Sequence, residues 1–202
     1  MVEGRPQLAG LPGQFWVSRD YVMRLERGFT LIEMMVAIGL TAILLGMAVP
    51  ALSSFVMNAR QTGAINEFVS SMHLARNTAI TTNARVTVCA SAAGDGCEAT
   101  NWNQGWVVFT DQNNNLLVDV NDTIIATGPA TEELSIQSVE FAQVLQYRPN
   151  GRVLNATANG NSGQFTVCDD RGVKYAKVLI VDLSGRPRLS KKLADGTEPI
   201  CA

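Results

Sequence analysis

The stretch Arg27-Gly28-Phe29-Thr30-Leu31-Ile32-Glu33 opens an almost uninterrupted apolar run that ends near Met57. Between Phe29 and Met57 the only charged residue is Glu33, and from Met34 to Val49 most side chains are Met, Val, Ile, Leu or Ala. As a helix rising ~1.5 Å per residue, the run is long enough to cross ~30 Å of hydrocarbon. A carboxylate at mid-membrane costs about 2.5–3.5 kcal/mol, so one kept near the start of such a span asks for a functional reason. A secretory signal peptide would have a shorter apolar core and a small-residue cleavage site after it, not a glycine before it.

Arg-Gly-Phe-Thr-Leu-Ile-Glu ahead of a hydrophobic helix resembles the processing site of type IV prepilins and type II secretion pseudopilins. The resemblance implies that a prepilin peptidase cuts between Gly28 and Phe29 and that Phe29, the new N-terminus, is methylated. Glu33 then becomes the fifth mature residue, where family glutamates pair with the N-terminal amine of a neighbouring subunit during fibre assembly. Pro50 stands where the family commonly has a helix-disturbing proline. Residues Met1–Val22 show neither a domain pattern nor a targeting signal, whereas Met23-Arg24-Leu25-Glu26-Arg27-Gly28 is a leader of ordinary prepilin length. Translation is therefore expected to start at Met23. Arg24 and Arg27 should hold that end in the cytoplasm, placing the C-terminal domain on the periplasmic side of the inner membrane.

After Met57 the helical pattern becomes amphipathic. Ile65, Phe68, Val69, Met72, Ala75, Ala79 and Ile80 recur at three- and four-residue steps, with Asn66, Glu67, Arg76 and Asn77 between them. One helix to about Thr82 would be roughly 80 Å long, with Gly39, Gly46 and Pro50 as points of weakness. His73 reads as an ordinary helix residue. Beyond Asn83, strand-rich segments follow: Arg85–Ala90, Trp106–Thr110, Ile124–Thr127, Leu134–Phe141, Val144–Arg148, Gln164–Asp169 and Lys174–Leu183. Pro149-Asn150-Gly151, Asp170-Arg171-Gly172 and Ser184-Gly185 mark turns. The expected fold is α+β, an antiparallel sheet domain packed on the amphipathic half of a long N-terminal helix. The expected organisation is a leader over 1–28, an assembly and membrane half over 29–57, an amphipathic half over 58–83 and a head over 84–202.

Ala75-Arg76-Asn77-Thr78-Ala79, Val86-Thr87-Val88-Cys89, Asn103-Gln104-Gly105-Trp106-Val107-Val108-Phe109 and Phe165-Thr166-Val167-Cys168-Asp169 are similar to segments of the GspH/FimT-like minor pilins and pseudopilins. The similarity implies a low-abundance subunit that joins a type IV pilus beside other major and minor pilins. The corresponding pseudopilin of a type II secretion system is the alternative.

Charge and cysteine placement bound the head further. The chain of 202 residues has net charge −2, which by itself implies no nucleic-acid partner. Between Val86 and Tyr147 stand eight acids (Asp95, Glu98, Asp111, Asp119, Asp122, Glu132, Glu133 and Glu140) and no Lys or Arg, while Arg171 to Lys192 holds seven bases and one acid, Asp182. Four cysteines beyond the membrane span fit an oxidising compartment and allow three pairings. Cys89 and Cys97 flank a short Gly-containing loop, which favours Cys89–Cys97 with Cys168–Cys201. Without a CxxC pair, and with one histidine, a zinc site is not expected, nor any other cofactor. The sequence lacks a GxSxG elbow and a phosphate-binding glycine loop, so no enzymatic activity is expected.

Two segments remain as candidate sites. Ser184-Gly185-Arg186-Pro187-Arg188-Leu189-Ser190-Lys191-Lys192 presents two arginines around a proline, suited to charge-assisted contacts with adjacent phosphates. It resembles the Gly-Arg-x-Arg motif of FimT-type minor pilins that bind DNA in natural transformation. The resemblance implies Arg186 and Arg188 as principal DNA contacts and Lys191 and Lys192 as auxiliary ones; Arg171, Lys174 and Lys177 are candidates to extend the patch. Tyr175 is its only aromatic, so base stacking is not supported. A solvated strand end, or a contact to an acidic neighbouring pilin, would use the same charges. Asp111, Asn113, Asn115 and Asp122 occupy positions 1, 3, 5 and 12 of an EF-hand-like loop, but Leu116 replaces the usual glycine and Asp122 the usual Glu. A polar hairpin loop containing Asp119 is the preferred reading. Trp102 and Trp106, around Gly105, are expected to pack in a core or interface. Mass spectrometry of the unprocessed protein should detect peptides beginning at Met23 and none from Met1–Val22; recovery of the latter refutes the Met23 start.

Overall fold

The computed structural model of the protein describes residues 28–131, 133–155 and 161–201. Met23, Arg24, Arg27 and Glu132 lie outside the described residues, as does the leader apart from Gly28. The chain divides into two compact units, one ending at Met47 and the other beginning at Ala48.

A single helix, α1 (Leu31–Thr82), begins in the first unit and continues into the second. Thr30 starts it: its Oγ1 accepts the Glu33 backbone N–H at 3.3 Å, the Thr-x-x-Glu spacing of a capping box. Every residue from Leu31 to Met47 is exposed, apolar side chains included. Thr41 answers its own hydroxyl by donating to the Ala37 and Ile38 carbonyls at 2.9 Å, so it adds no free donor to this face. Among the described residues α1 is the one helix long and apolar enough to cross a membrane. It continues without a break through Gly39, Gly46 and Pro50.

In the second unit α1 buries a stripe of Ala64, Ile65, Phe68, Met72, Ala75 and Ala79, the repeat expected of an amphipathic helix. Phe68 is its anchor. Its ring lies 5.3 Å from that of Trp102, 4.9 Å from Trp106 and 5.0 Å from Phe165. Val69 is half-buried against the same core, whereas Ile80 is 43% exposed and His73 faces solvent.

Among the described residues, nine strands form two antiparallel sheets. β1 (Val86–Ala90), β2 (Trp106–Thr110), β3 (Thr123–Gly128), β5 (Val144–Tyr147) and β6 (Val153–Asn155) make a five-stranded sheet in the order β3-β2-β1-β5-β6. β4 (Ser135–Gln137), β7 (Gly163–Cys168), β8 (Lys177–Val181) and β9 (Pro187–Ser190) make a four-stranded sheet, β4-β7-β8-β9. β1 is buried at every position. Val86, Val88 and Ala90 join the main core, and Cys89 joins Val107 and Phe109 in a second cluster covered by Cys97, Val118 and Val144. Burial on both faces explains why this strand reads as an apolar run and not as an alternation.

Several elements differ from the sequence reading. Leu134–Phe141 yields only three paired residues, because a turn at Ser138 sends Phe141 into the core beside Phe165, with Ala142 following at φ +42°. Lys174–Leu183 splits into a 3-10 turn, Val173–Tyr175, and β8. β6 and β9 were not expected as strands; β9 begins with a proline, which cannot donate to a ladder and suits an edge. Replacing Phe68 by Ala should lower the unfolding free energy by about 3–5 kcal/mol, against less than ~0.5 kcal/mol for the control Leu74→Ala on the exposed side. Urea unfolding of the detergent-solubilised chain, followed by tryptophan fluorescence, measures both.

Candidate functional site

Of the expected cleavage motif, Gly28, Phe29 and Glu33 stand together at the start of the described residues. Gly28, Phe29 and Thr30 precede α1 in irregular, exposed backbone, and Glu33 lies in the first turn of the helix, also exposed. An accessible, non-helical peptide suits a protease, and a carboxylate in the first helical turn interacts favourably with the N-terminal end of the dipole.

At the other end of the chain, Gly185 forms the turn between β8 and β9. Its φ is +74°, and a Cβ there would lie 2.2 Å from the Gly151 carbonyl oxygen and 3.0 Å from the Tyr147 ring, so a side chain is excluded by both strain and space. Two side chains hold the turn. The Tyr147 hydroxyl donates to the Gly185 carbonyl at 3.2 Å, and Arg76 Nε, from α1, donates to the carbonyls of Ser184 at 3.1 Å and Gly151 at 3.2 Å. Burial pushes the Tyr147 hydroxyl's pKa well up despite the nearby Arg76, so it remains a donor. Asp182 closes the turn by accepting from the Ser184 hydroxyl and amide; these bonds, the Arg186 amide and the charge of Arg188 hold its pKa down.

Arg186 and Arg188 emerge from this turn exposed, the second in β9 opposite Ile180. The other bases of the segment are arranged differently. Arg171 donates to both carboxylate oxygens of Asp169, packs 4.2 Å from the centre of the Tyr175 ring and reaches the Ser54 carbonyl. Its guanidinium is thereby committed to structure, and the Asp169 pKa is held down chiefly by its hydrogen bond to Arg171. Lys174, Lys177, Lys191 and Lys192 line a separate cleft between α1 and the four-stranded sheet, which neither Arg186 nor Arg188 lines. The seven bases therefore do not form one patch.

The acidic loop is occupied by its own backbone. Asp111 is buried and accepts from the Thr87 hydroxyl, the Gln146 amide and the Leu116 and Asn115 backbone N–H groups at 3.0–3.1 Å. Asp122 accepts from the Gln112 and Asp119 amides, and Asp119 from the side chains of Asn113 and Asn115. Leu116 adopts φ +64° where an EF-hand has glycine. No group of three His, Cys, Asp or Glu is placed to hold a metal among the described residues. Trp102 and Trp106 are buried in the core, Trp102 donating to the Ala142 carbonyl at 2.5 Å. Disulfides join Cys89 to Cys97 and Cys168 to Cys201.

Residues 64–185 match the family described as Type II transport protein GspH, well over half of the chain. The chain belongs to the GspH family. Residues 23–49 match the prokaryotic N-terminal methylation motif, which contains Gly28, Phe29 and Glu33. The fold is that of type IV pilins. The type IV minor pilin FimU of Pseudomonas aeruginosa strain PAO1, in crystal forms P21 and P65, is similar with TM-scores of 0.52 and 0.50 and identities of 16% and 15%. Those matches cover 67% and 64% of this chain and 92% and 91% of FimU. The minor pseudopilin EpsH of the Type 2 Secretion System of Vibrio cholerae is more distant, with a TM-score of 0.42, 13% identity, and coverage of 62% of this chain and 91% of EpsH. No curated protein sequence matches the chain.

Arg76 and Tyr147 are the residues that sequence reasoning missed at this site. Arg76 reads in the sequence as a polar residue of the amphipathic helix within a family-similar segment, and nothing local links either residue to Gly185. Gly185→Ala should displace the turn and cost about 1–3 kcal/mol of stability; hydrogen exchange should show faster opening at Ser184–Arg188, and unchanged exchange there would contradict the packing described.

Proposed function

We propose that the chain is made as a membrane-inserted precursor, cut between Gly28 and Phe29, methylated at Phe29 and incorporated as a minor subunit into a type IV pilus. The supporting observation is the capped, exposed apolar helix that starts just after an accessible Gly28-Phe29 and carries Glu33 in its first turn. Before assembly the helix anchors in the inner membrane with the head on the periplasmic side. In the fibre, α1 packs among the helices of neighbouring pilins while Glu33 meets the methylated amine of another subunit. The role is structural and binding, with no reaction at a catalytic centre.

The head adds a DNA contact at Arg186 and Arg188 for uptake in natural transformation; Lys191 and Lys192, expected as auxiliary contacts, line the separate cleft instead. Two exposed guanidinium groups on a rigid turn suit adjacent backbone phosphates, giving sequence-independent, salt-sensitive affinity. The family's own description favours a second reading, a minor pseudopilin of a type II secretion system; Arg186 and Arg188 lie beyond the matched residues.

Pili sheared from cells should contain the chain with methylated Phe29 at its N-terminus, and Gly28→Glu should leave the precursor uncut and the fibres free of it. Absence from pili in cells whose secretion fails when the gene is removed would favour the second reading. In gel shifts, the purified full chain should bind duplex DNA less tightly as salt rises, and Arg186→Ala with Arg188→Ala should abolish the shift; equal binding by the double variant refutes the assignment.

A further inference from the structure

Between α1 and the four-stranded sheet lies a cleft of about 750 Å³ wholly within the second unit. Lys174, Lys177, Lys191 and Lys192 line it, and Tyr175 stands beside them. Lys177 donates to the Thr62 hydroxyl at 2.9 Å, and Lys192 is 3.5 Å from Glu198, which also lines the cleft, so Lys174 and Lys191 contribute the least compensated charge. Gln61, also lining the cleft, is fully buried. Its Nε2 donates to the Tyr175 carbonyl at 3.1 Å and the Val167 carbonyl at 3.4 Å, which fixes the amide orientation. Its Oε1 accepts no hydrogen bond. A buried acceptor without a donor costs about 1–3 kcal/mol, so a ligand donor at this place would be rewarded.

The surroundings favour one kind of ligand. Asn58, on the helical wall of the cleft, follows within one turn of Phe55, and Leu52 and Phe55 are 63% and 69% exposed. The exposed apolar side chains of Val173 and Leu189 form part of the cleft itself. Cations, a buried acceptor and an apolar margin next to an apolar helical segment match the boundary between the acyl and headgroup regions of a bilayer. A nucleic-acid backbone would use the cations alone and leave the apolar margin and Gln61 Oε1 unanswered.

We propose that this cleft binds the headgroup of an anionic phospholipid that also carries a hydroxyl group. The phosphodiester would lie among the lysine ammonium groups, a headgroup hydroxyl would donate to Gln61 Oε1, and the glycerol end would rest on Val173 and Leu189. The site is separate from the Gly185 turn, and it would hold the head against the membrane until assembly withdraws the subunit. The inference rests on the membrane-inserted precursor proposed above.

The test uses the full chain in mild detergent with equal amounts of phosphatidylglycerol and phosphatidylcholine, and native mass spectrometry to count retained lipids. Phosphatidylglycerol should be retained preferentially, with the preference falling about fivefold for each of Lys174→Gln and Lys191→Gln and less for Lys177→Gln and Lys192→Gln. These lysines lie at the surface, so their variants should fold; Gln61→Leu should also lower phosphatidylglycerol retention, and Arg186→Ala with Arg188→Ala should leave it unchanged. Equal retention of the two lipids, an undiminished preference in the fourfold lysine variant, or displacement of the lipid by millimolar phosphate or short duplex DNA would overturn the proposal. Alkaline carbonate treatment of membranes separates the two levels: a chain that washes off overturns both the precursor reading and this site, whereas an integral chain without lipid preference overturns the site alone.

Discussion

The head depends on the placement of one aromatic ring. Phe68 leaves the middle of the buried stripe of α1 and meets Trp106 from the five-stranded sheet, Phe165 from the four-stranded sheet and Trp102 from the short turn before β2. Trp102 and Phe165 also meet edge to face, and Phe165 stacks on Phe141, so the cluster closes on itself without direct strand pairing between the two sheets. Edge-to-face pairs contribute about 0.5–1.5 kcal/mol each beyond area burial, and the rings themselves supply most of the large apolar surface here. Two separate sheets therefore share one core because a helix residue is common to both.

How far this was legible in the sequence follows from the range of each interaction. The N-terminal motif is local: a glycine, a phenylalanine, an acid at fixed spacing and an apolar run are all visible within thirty residues of chain. The buried stripe around Phe68 and Met72 is local too, since helical periodicity exposes it. Ile80 fits the same period but ends up partly exposed, because near the end of α1 it faces the Gly151 turn and not the sheet interior. β9 was missed for a different reason. Its residues are Pro, Arg, Leu and Ser, which become a strand only because β8 offers an edge. Likewise no sequence rule announces that Arg76 would cap two turns 75 and 108 residues away.

The basic segment shows most clearly what a charge count leaves out. Seven bases within twenty-two residues suggested one cationic surface. Folding assigns Arg171 to Asp169, presents Arg186 and Arg188 on a turn, and gathers four lysines in a cleft against α1. The acidic loop underwent the opposite simplification, Asp111 and Asp122 accepting from backbone amides of the loop itself. In both cases the decisive partners are particular groups, such as a carboxylate two residues away or a loop amide, which a charge count does not show.

The Gly185 turn also makes the head a display scaffold. Its carbonyls are held by Arg76 and Tyr147, and its glycine is wedged against Gly151, yet the side chains at 186 and 188 point away from every one of those contacts into solvent. Shape and cargo are thus encoded by different residues: the first set cannot vary without disturbing the core, while the second can be exchanged freely. Acidic, aromatic or metal-binding pairs grafted at positions 186 and 188 would be carried by the same turn, so the surface chemistry shown there can be rewritten with two codons.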